Sequence, residues 1–201
     1  MSINVCNDRS MASITSLPSG VSGSSLVLIS TQTASSSATI DFTSDIDSTY
    51  KEYIFKWTSI HPETNEANFS FQADTGTNTN YNQTITSTSF YAYQNESGSA
   101  TELSYDTSRD LAQSTNFQVL TGSTGNANDE TTSGFLHLFD PANTTFVKHF
   151  IANVNNYNHG DFTVNNRFAG YFNTTTALTR VRFKFSTGNI DAGTIKMYGV
   201  V

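Results

Sequence analysis

Cysteine, charge and long apolar runs are all scarce in this chain. Cys6 is the one cysteine among 201 residues, so no disulfide can form within the chain. Charged residues make up 13% of the sequence, and the net charge of −7 disfavours nucleic acid as a partner. No run approaches the roughly 20 apolar residues of a membrane-spanning helix, so we expect no membrane partner. The first residues lack the basic start and apolar core of a secretory signal, and we expect no export by that route.

Serine, threonine and asparagine dominate the residues that are present. They number 26, 30 and 20 in the chain of 201. Asn and Ser favour turns together with Gly, whereas Thr, Tyr and Phe favour strands. Aromatic residues make up 12% of the sequence, and disordered segments have few of them. The composition therefore predicts a folded, strand-rich protein.

Strand-like segments follow one another from residue 25 to the end of the chain. In "TYKEYIFKWTSI", Tyr53, Phe55 and Trp57 share one face, which is the period of a half-buried strand. About ten such segments, separated by turn residues and without a long helical pattern, predict an all-β fold. We expect an antiparallel β-sandwich, jelly-roll-like, over residues 25–201. Residues 1–24 place Pro and Gly among serines and predict an extended N-terminal arm.

Four segments carry more specific expectations. "SLVLIST" is apolar on both faces, which predicts a strand covered on both sides. "GFLHLF" predicts a strand at the centre of a sheet, with His137 as a buried, hydrogen-bonded core residue. "LTRVRFKFS" and "GTIKMYGVV" would pair as a hairpin that completes the sandwich. "TSRDLAQS" is the one stretch that favours a short helical turn, capped by Ser108.

Motifs for catalysis and cofactor binding are missing from the sequence. It contains no G-x-S-x-G elbow, no reactive-cysteine context and no phosphate-binding glycine loop. The four histidines are too far apart for a typical zinc pair. Asp41, Asp45 and Asp47 could offer oxygen ligands to Ca²⁺, although solvated turn acids explain them better and the question stays open. We therefore predict no enzyme, no catalytic residue, no metal site and no cofactor.

A basic stripe is the most specific polar pattern. In "RVRFKF", Val181, Phe183 and Phe185 fall on one face of a strand. Arg180, Arg182 and Lys184 fall on the other face, and they are three of only ten basic residues in an acidic chain. This stripe could dock an acidic partner, or it could pair with acids on a neighbouring strand.

Several long stretches resemble a group of small proteins from marine tailed bacteriophages, especially those of cyanobacteria. The resemblance is carried by the ending "STGNIDAGTIKMYGVV" and by "NDRSMASITSLPSG", "ISTQTASSSATIDFTSDIDSTYKEYIFKW", "YDTSRDLAQSTNFQ", "FLHLFDPANTTFVKHFIANVN" and "AGYFNTTTALTRVRFKFSTGNI". Together these stretches cover most of the chain. The resemblance supplies no catalytic residues.

The resemblance implies a virion structural protein that is assembled in the host cytoplasm. On this basis we expect a capsid decoration, head-fibre or tail-associated subunit that acts by assembly with other capsid or tail proteins. A homo-oligomer is expected, and a trimer is favoured by analogy with phage appendages.

The alternative is a carbohydrate-binding module for host adhesion on a tail fibre or spike. Jelly-roll folds often carry lectin sites. Tyr91, Tyr93 and Tyr157 are the residues we expect to stack on a host surface glycan, although core packing would also explain such rings.

Overall fold

The computed structural model describes residues 25–201, which form two facing antiparallel sheets. In chain order the strands are β1 (Leu26–Thr33), β2 (Ile40–Phe42), β3 (Glu52–Pro62), β4 (Phe69–Thr75), β5 (Ile85–Asn95), β6 (Thr101–Tyr105), β7 (Gln118–Val119), β8 (Thr132–Phe139), β9 (Lys148–Asn158), β10 (Phe162–Phe172), β11 (Leu178–Phe185) and β12 (Ile190–Val200).

Eight strands form the larger sheet, in the order β1-β12-β3-β8-β9-β10-β5-β6, and four form the smaller sheet, in the order β2-β11-β4-β7. All neighbouring strands are antiparallel, and no segment of residues 25–201 is helical. The predicted all-β antiparallel sandwich is thereby confirmed. Its jelly-roll connectivity stays a prediction, and the expected arm, residues 1–24, lies outside the described residues.

The core between the sheets is aromatic. Alternation on β3 turns Tyr53, Phe55 and Trp57 inward, and each is at most 1% exposed. Phe183 of β11 is fully buried at the centre of this layer. Rings from both sheets surround it at centroid distances of 5.7–6.3 Å: Phe42, Phe55, Trp57, Phe69 and Phe71. Edge-to-face and offset pairs of this kind add stability beyond the burial of apolar area.

The central position of "GFLHLF" is confirmed, but the predicted burial of His137 is wrong. β8 lies between β3 and β9 in the larger sheet. Leu136 and Leu138 point into the core, so His137 must point to the opposite, outer face. Its side chain is 29% exposed there, and its Nδ1 is hydrogen-bonded to the Glu52 carboxylate.

The predicted cover on both sides of "SLVLIST" is also wrong. Within residues 25–201, β1 is the terminal strand of the larger sheet and pairs with β12. Val27 and Leu28, which point to opposite faces, are 36% and 51% exposed. An apolar run in the sequence predicts a strand, but it does not indicate whether that strand lies inside a sheet or at its edge.

The predicted hairpin of the last two strands does not form. β11 pairs with β2 and β4 in the smaller sheet. β12 pairs with β1 and β3 in the larger sheet, so the loop between β11 and β12 crosses from one layer to the other. The last strand does complete the sandwich, but between two strands from the first third of the chain.

We expect Phe183→Ala to destabilise the protein by about 3–5 kcal/mol, because it leaves a cavity at the centre of the aromatic core. Urea unfolding monitored by Trp57 fluorescence measures this change. Phe146→Ala is the matched control, since Phe146 is 68% exposed. A surface change of that kind stays within about 0.5 kcal/mol. Equal losses in the two variants would contradict the central role of Phe183.

Candidate functional site

The inner face of β5 changes from buried to open along its length. Ile85, Ser87 and Ser89 point inward and are 0%, 7% and 1% exposed, whereas Tyr91 and Tyr93 on the same face are half-buried. The Ser87 hydroxyl donates to Gln118 Oε1 at 2.6 Å. Gln118 belongs to β7, the strand of the smaller sheet that lies over this part of β5. Beyond this point the inner face of the larger sheet opens into a groove.

This groove, which we call the tyrosine groove, has a volume of about 300 Å³. Its lining residues are Tyr91, Tyr93, Arg109, Gly122, Asn158, Phe162 and Val164. The rings of Tyr91 and Tyr93 stand parallel, with centroids 5.9 Å apart and planes at 15°. Phe162 of β10 meets Tyr93 edge-on at 5.2 Å and 88°. The groove therefore has an aromatic wall on one side.

Arg109 supplies the cationic side of the tyrosine groove. Its Nη1 donates to Asn166 Oδ1 at 2.8 Å and lies 3.2 Å from Asp106 Oδ2. No residue among 25–201 accepts a hydrogen bond from its Nε or Nη2. The guanidinium lies where a side chain on Gly122 would begin, so it can keep this position only while residue 122 is a glycine.

Buried asparagines hold this side of the groove in place. Asn166 and Asn156 are 1% and 0% exposed, and Asn166 Nδ2 donates to Asn156 Oδ1 at 3.0 Å. The Gly122 carbonyl accepts from Asn156 Nδ2 at 3.3 Å and from Asn158 Nδ2 at 3.0 Å. Since buried polar groups are stable only when paired, this network fixes the loop and the arginine together.

Acidic side chains stand beside the tyrosine hydroxyls. Glu102 of β6 is the cross-strand partner of Tyr93. Burial, and then the nearby Glu102 carboxylate, raise the pKa of both Tyr91 and Tyr93 above the usual range. Both hydroxyls therefore stay protonated at neutral pH and can donate hydrogen bonds.

Tyr157 does not share the site of the other two predicted tyrosines. It lies on the opposite face of the larger sheet, beside Gln94, Glu96 and Thr163. Its hydroxyl donates to Glu96 Oε1 at 2.8 Å, and this hydrogen bond raises its pKa. The structure brings Tyr91 and Tyr93 together and separates Tyr157 from them, and stacking on sugar stays a prediction for all three.

The basic stripe has partners within the chain. Arg182 forms a bidentate ion pair with Asp41 of β2, in which Nε and Nη2 donate to Asp41 Oδ1 and Oδ2 at 2.7 and 2.6 Å. Its guanidinium carbon also lies 4.0 Å from the centre of the Tyr81 ring. Arg180 Nε donates to the Gly76 carbonyl at 3.1 Å. Lys184 Nζ lies 4.4 Å from the ring centre of Phe117. These contacts favour the cross-strand explanation for Arg182, and docking of an acidic partner stays untested.

The three aspartates of "DFTSDIDSTY" do not converge. Asp41 faces Arg182, Asp45 accepts from the Ser44 hydroxyl at 2.6 Å, and Asp47 accepts from the Thr49 amide at 2.8 Å. Across residues 25–201 no three His, Cys, Asp or Glu side chains are arranged to hold a metal ion. The same part of the chain has no helix long and apolar enough to cross a membrane.

Sequence reasoning found the two tyrosines but missed Arg109. The segment "TSRDLAQS" forms a turn in place of the expected helix, because Asp106 Oδ1 accepts from both the amide and the hydroxyl of Ser108, at 2.9 and 2.6 Å. The "D-x-S" pattern is a signal for such a turn. Nothing local indicated that the turn would place Arg109 against β10.

Comparison with known proteins adds no relative to this description. No protein-family model matches the chain, and no curated protein or solved structure shows significant similarity to it.

We expect Arg182→Lys to destabilise the isolated protein by about 1.5–3 kcal/mol, because lysine cannot form the bidentate ion pair with Asp41. Chemical unfolding at neutral pH measures the loss. Arg180→Lys is the control from the same stripe, since only its Nε contact with a backbone carbonyl is lost, and we expect a smaller change. If both variants were as stable as the unmodified protein, the stripe would have no structural role.

Proposed function

We propose that the protein is a structural subunit of a tailed-phage virion, either a capsid decoration or head-fibre protein or a tail-associated accessory protein. It acts by assembly with other capsid or tail proteins, inside the host cytoplasm where the virion is built. The resemblance of most of the chain to proteins of marine tailed phages motivates this proposal.

The structural observation that carries it is the apolar edge of the larger sheet. β6 is the terminal strand of that sheet, and its outer face carries Leu103 and Tyr105, which are 75% and 51% exposed. Phe90, the cross-strand partner of Tyr105, is 41% exposed on the same face. Monomeric sheets usually protect an edge with lysine, proline or a bulge. β6 has none of these, and its one charge, Glu102, lies on the inner face beside Tyr93, so the apolar outer face favours burial by another subunit.

We also infer jelly-roll connectivity from the strand order. The eight strands of a jelly roll form two four-stranded sheets that lie face to face. Here β1-β12-β3-β8 faces β2-β11-β4-β7, so successive parts of the chain alternate between the layers. β5–β6 and β9–β10 are then two insertions that widen one sheet. Jelly rolls of this kind are common in viral capsid proteins.

A second candidate role is host adhesion through a surface glycan. The observation that favours it is the tyrosine groove, where Tyr91 and Tyr93 present an aromatic wall opposite Arg109. A subunit at the tip of a fibre can serve both in assembly and in adhesion, so the two roles are compatible.

Quantitative mass spectrometry of purified phage particles tests the virion role. We expect the protein in intact particles at a fixed ratio to the major capsid protein, and we expect it to remain after the particles are banded twice in a density gradient. A protein that is present in the lysate but absent from banded particles would contradict the proposal.

Light scattering coupled to gel filtration tests the apolar edge. We expect the purified protein to be a homo-oligomer, with a trimer favoured, and we expect Leu103→Lys to shift it to monomer because charge blunts an exposed edge. Thr31→Lys places the same charge on β1, at the far edge of the same sheet, and should leave the mass unchanged. A monomeric unmodified protein, or an oligomer that Leu103→Lys leaves intact, would contradict assembly through β6.

A further inference from the structure

We infer that the tyrosine groove binds the ring of a neutral hexose, presented as a monosaccharide or as the terminal unit of a glycan. The inference deepens the second candidate role and depends on that role alone. It does not require a particular location in the virion.

The size and the lining of the groove fit one sugar ring. A volume of about 300 Å³ lies at the lower end of small-molecule sites. Tyr91, Tyr93, Phe162 and Val164 make most of the lining apolar, and Arg109 and Asn158 add polar groups on one side. A hexose has the same division, since its C–H groups form an apolar face and its hydroxyls lie around the edge.

The hydrogen-bonding groups match hydroxyls, which both donate and accept. Arg109 offers Nε and Nη2, for which residues 25–201 provide no acceptor. The Tyr91 and Tyr93 hydroxyls remain protonated, and the Glu102 carboxylate beside them can accept. A purely apolar ligand would cover Arg109 Nε and Nη2 without giving them an acceptor, at the cost of their hydration.

The charges favour a neutral ligand over an anionic one. Asp106 Oδ2 lies 3.2 Å from Arg109 Nη1 and offsets its charge, and Glu102 adds a negative charge near the tyrosine hydroxyls. The chain as a whole has a net charge of −7. A phosphate, a sulfated glycan or a sialic acid would therefore meet a field of its own sign.

The groove is also formed before any ligand arrives. Asn166 and Asn156 hold the Arg109 side through buried hydrogen bonds, and the stacked rings hold the other side. A preformed site loses little conformational freedom on binding, which is what allows a small ligand to bind measurably.

Nuclear magnetic resonance titration of the full-length ¹⁵N-labelled protein tests the inference. The probes are glucose, galactose, mannose and N-acetylglucosamine, each added to about 20 mM because single-sugar affinities near 1 mM correspond to only about 4 kcal/mol. We expect at least one of them to shift the backbone amides around Tyr93, Arg109 and Gly122 in a saturable manner. Sialic acid and inorganic phosphate serve as anionic comparisons, and we expect no saturable shift from either.

Two variants change the groove in different ways. Tyr91→Ser uses the residue that β5 already carries at Ser87 and Ser89 on the same face, so the strand should keep its fold. It should weaken binding at least about tenfold, as loss of a central aromatic contact does. Gly122→Ala retains both rings but displaces the Arg109 guanidinium, and it should weaken binding about three- to tenfold.

Tyr157→Ser is the matched control, since it removes the same ring from the opposite face of the sheet and should change affinity less than about twofold. Amide spectra of every variant report whether the fold is retained. The inference is overturned if no neutral sugar gives saturable shifts, if the shifts lie outside the groove, or if phosphate or sialic acid binds there in place of a neutral sugar. It is also overturned if Tyr91→Ser and Tyr157→Ser have equal effects. None of these results would alter the presence of the protein in virions, so the two proposals fail separately.

Discussion

The architecture depends on one geometric constraint, which is that a four-stranded sheet covers the inner face of an eight-stranded sheet. Two packed sheets bury the side chains between them in a layer about 10 Å thick. Under the smaller sheet this layer is a continuous set of aromatic rings around Phe183. The smaller sheet is too narrow to cover β5 and β6 in the same way, so loops and half-buried rings occupy the remaining inner face.

Where the smaller sheet no longer covers the larger one, the inward-facing side chains also change from apolar to polar and then to half-buried aromatic. On β5 and β10 the inward positions pass from Ile85 and Phe172, both fully buried, through Ser89 and Asn166 to the tyrosine rings. The polar positions satisfy the backbone and side chains of the loops above them, which fixes those loops without an apolar core. The aromatic positions beyond them retain partial exposure. A groove with fixed walls results from this gradient, and it requires no separate domain.

Local pattern predicted the content of the strands better than their partners. The alternation of Tyr53, Phe55 and Trp57 follows directly from a period of two, and the structure places all three in the core. The edge position of β1 and the separation of β11 from β12 depend on pairing across the whole chain, which no local pattern records. The same limit applies to the groove, because Arg109 reaches it through a contact with Asn166, 57 residues away.

The pairing of β1 with β12 has a consequence for how the protein is made. β12 lies between β1 and β3, so these two strands, within residues 26–62, lack their shared sheet partner until residues 190–200 have left the ribosome. Contacts between such distant parts of a chain make folding slow, on the millisecond-to-second scale. Until β12 is made, the backbone groups of β1 and β3 that will pair with it are open to pairing with other chains. Crowded translation of many copies at once would favour exchange of β12 between neighbouring molecules.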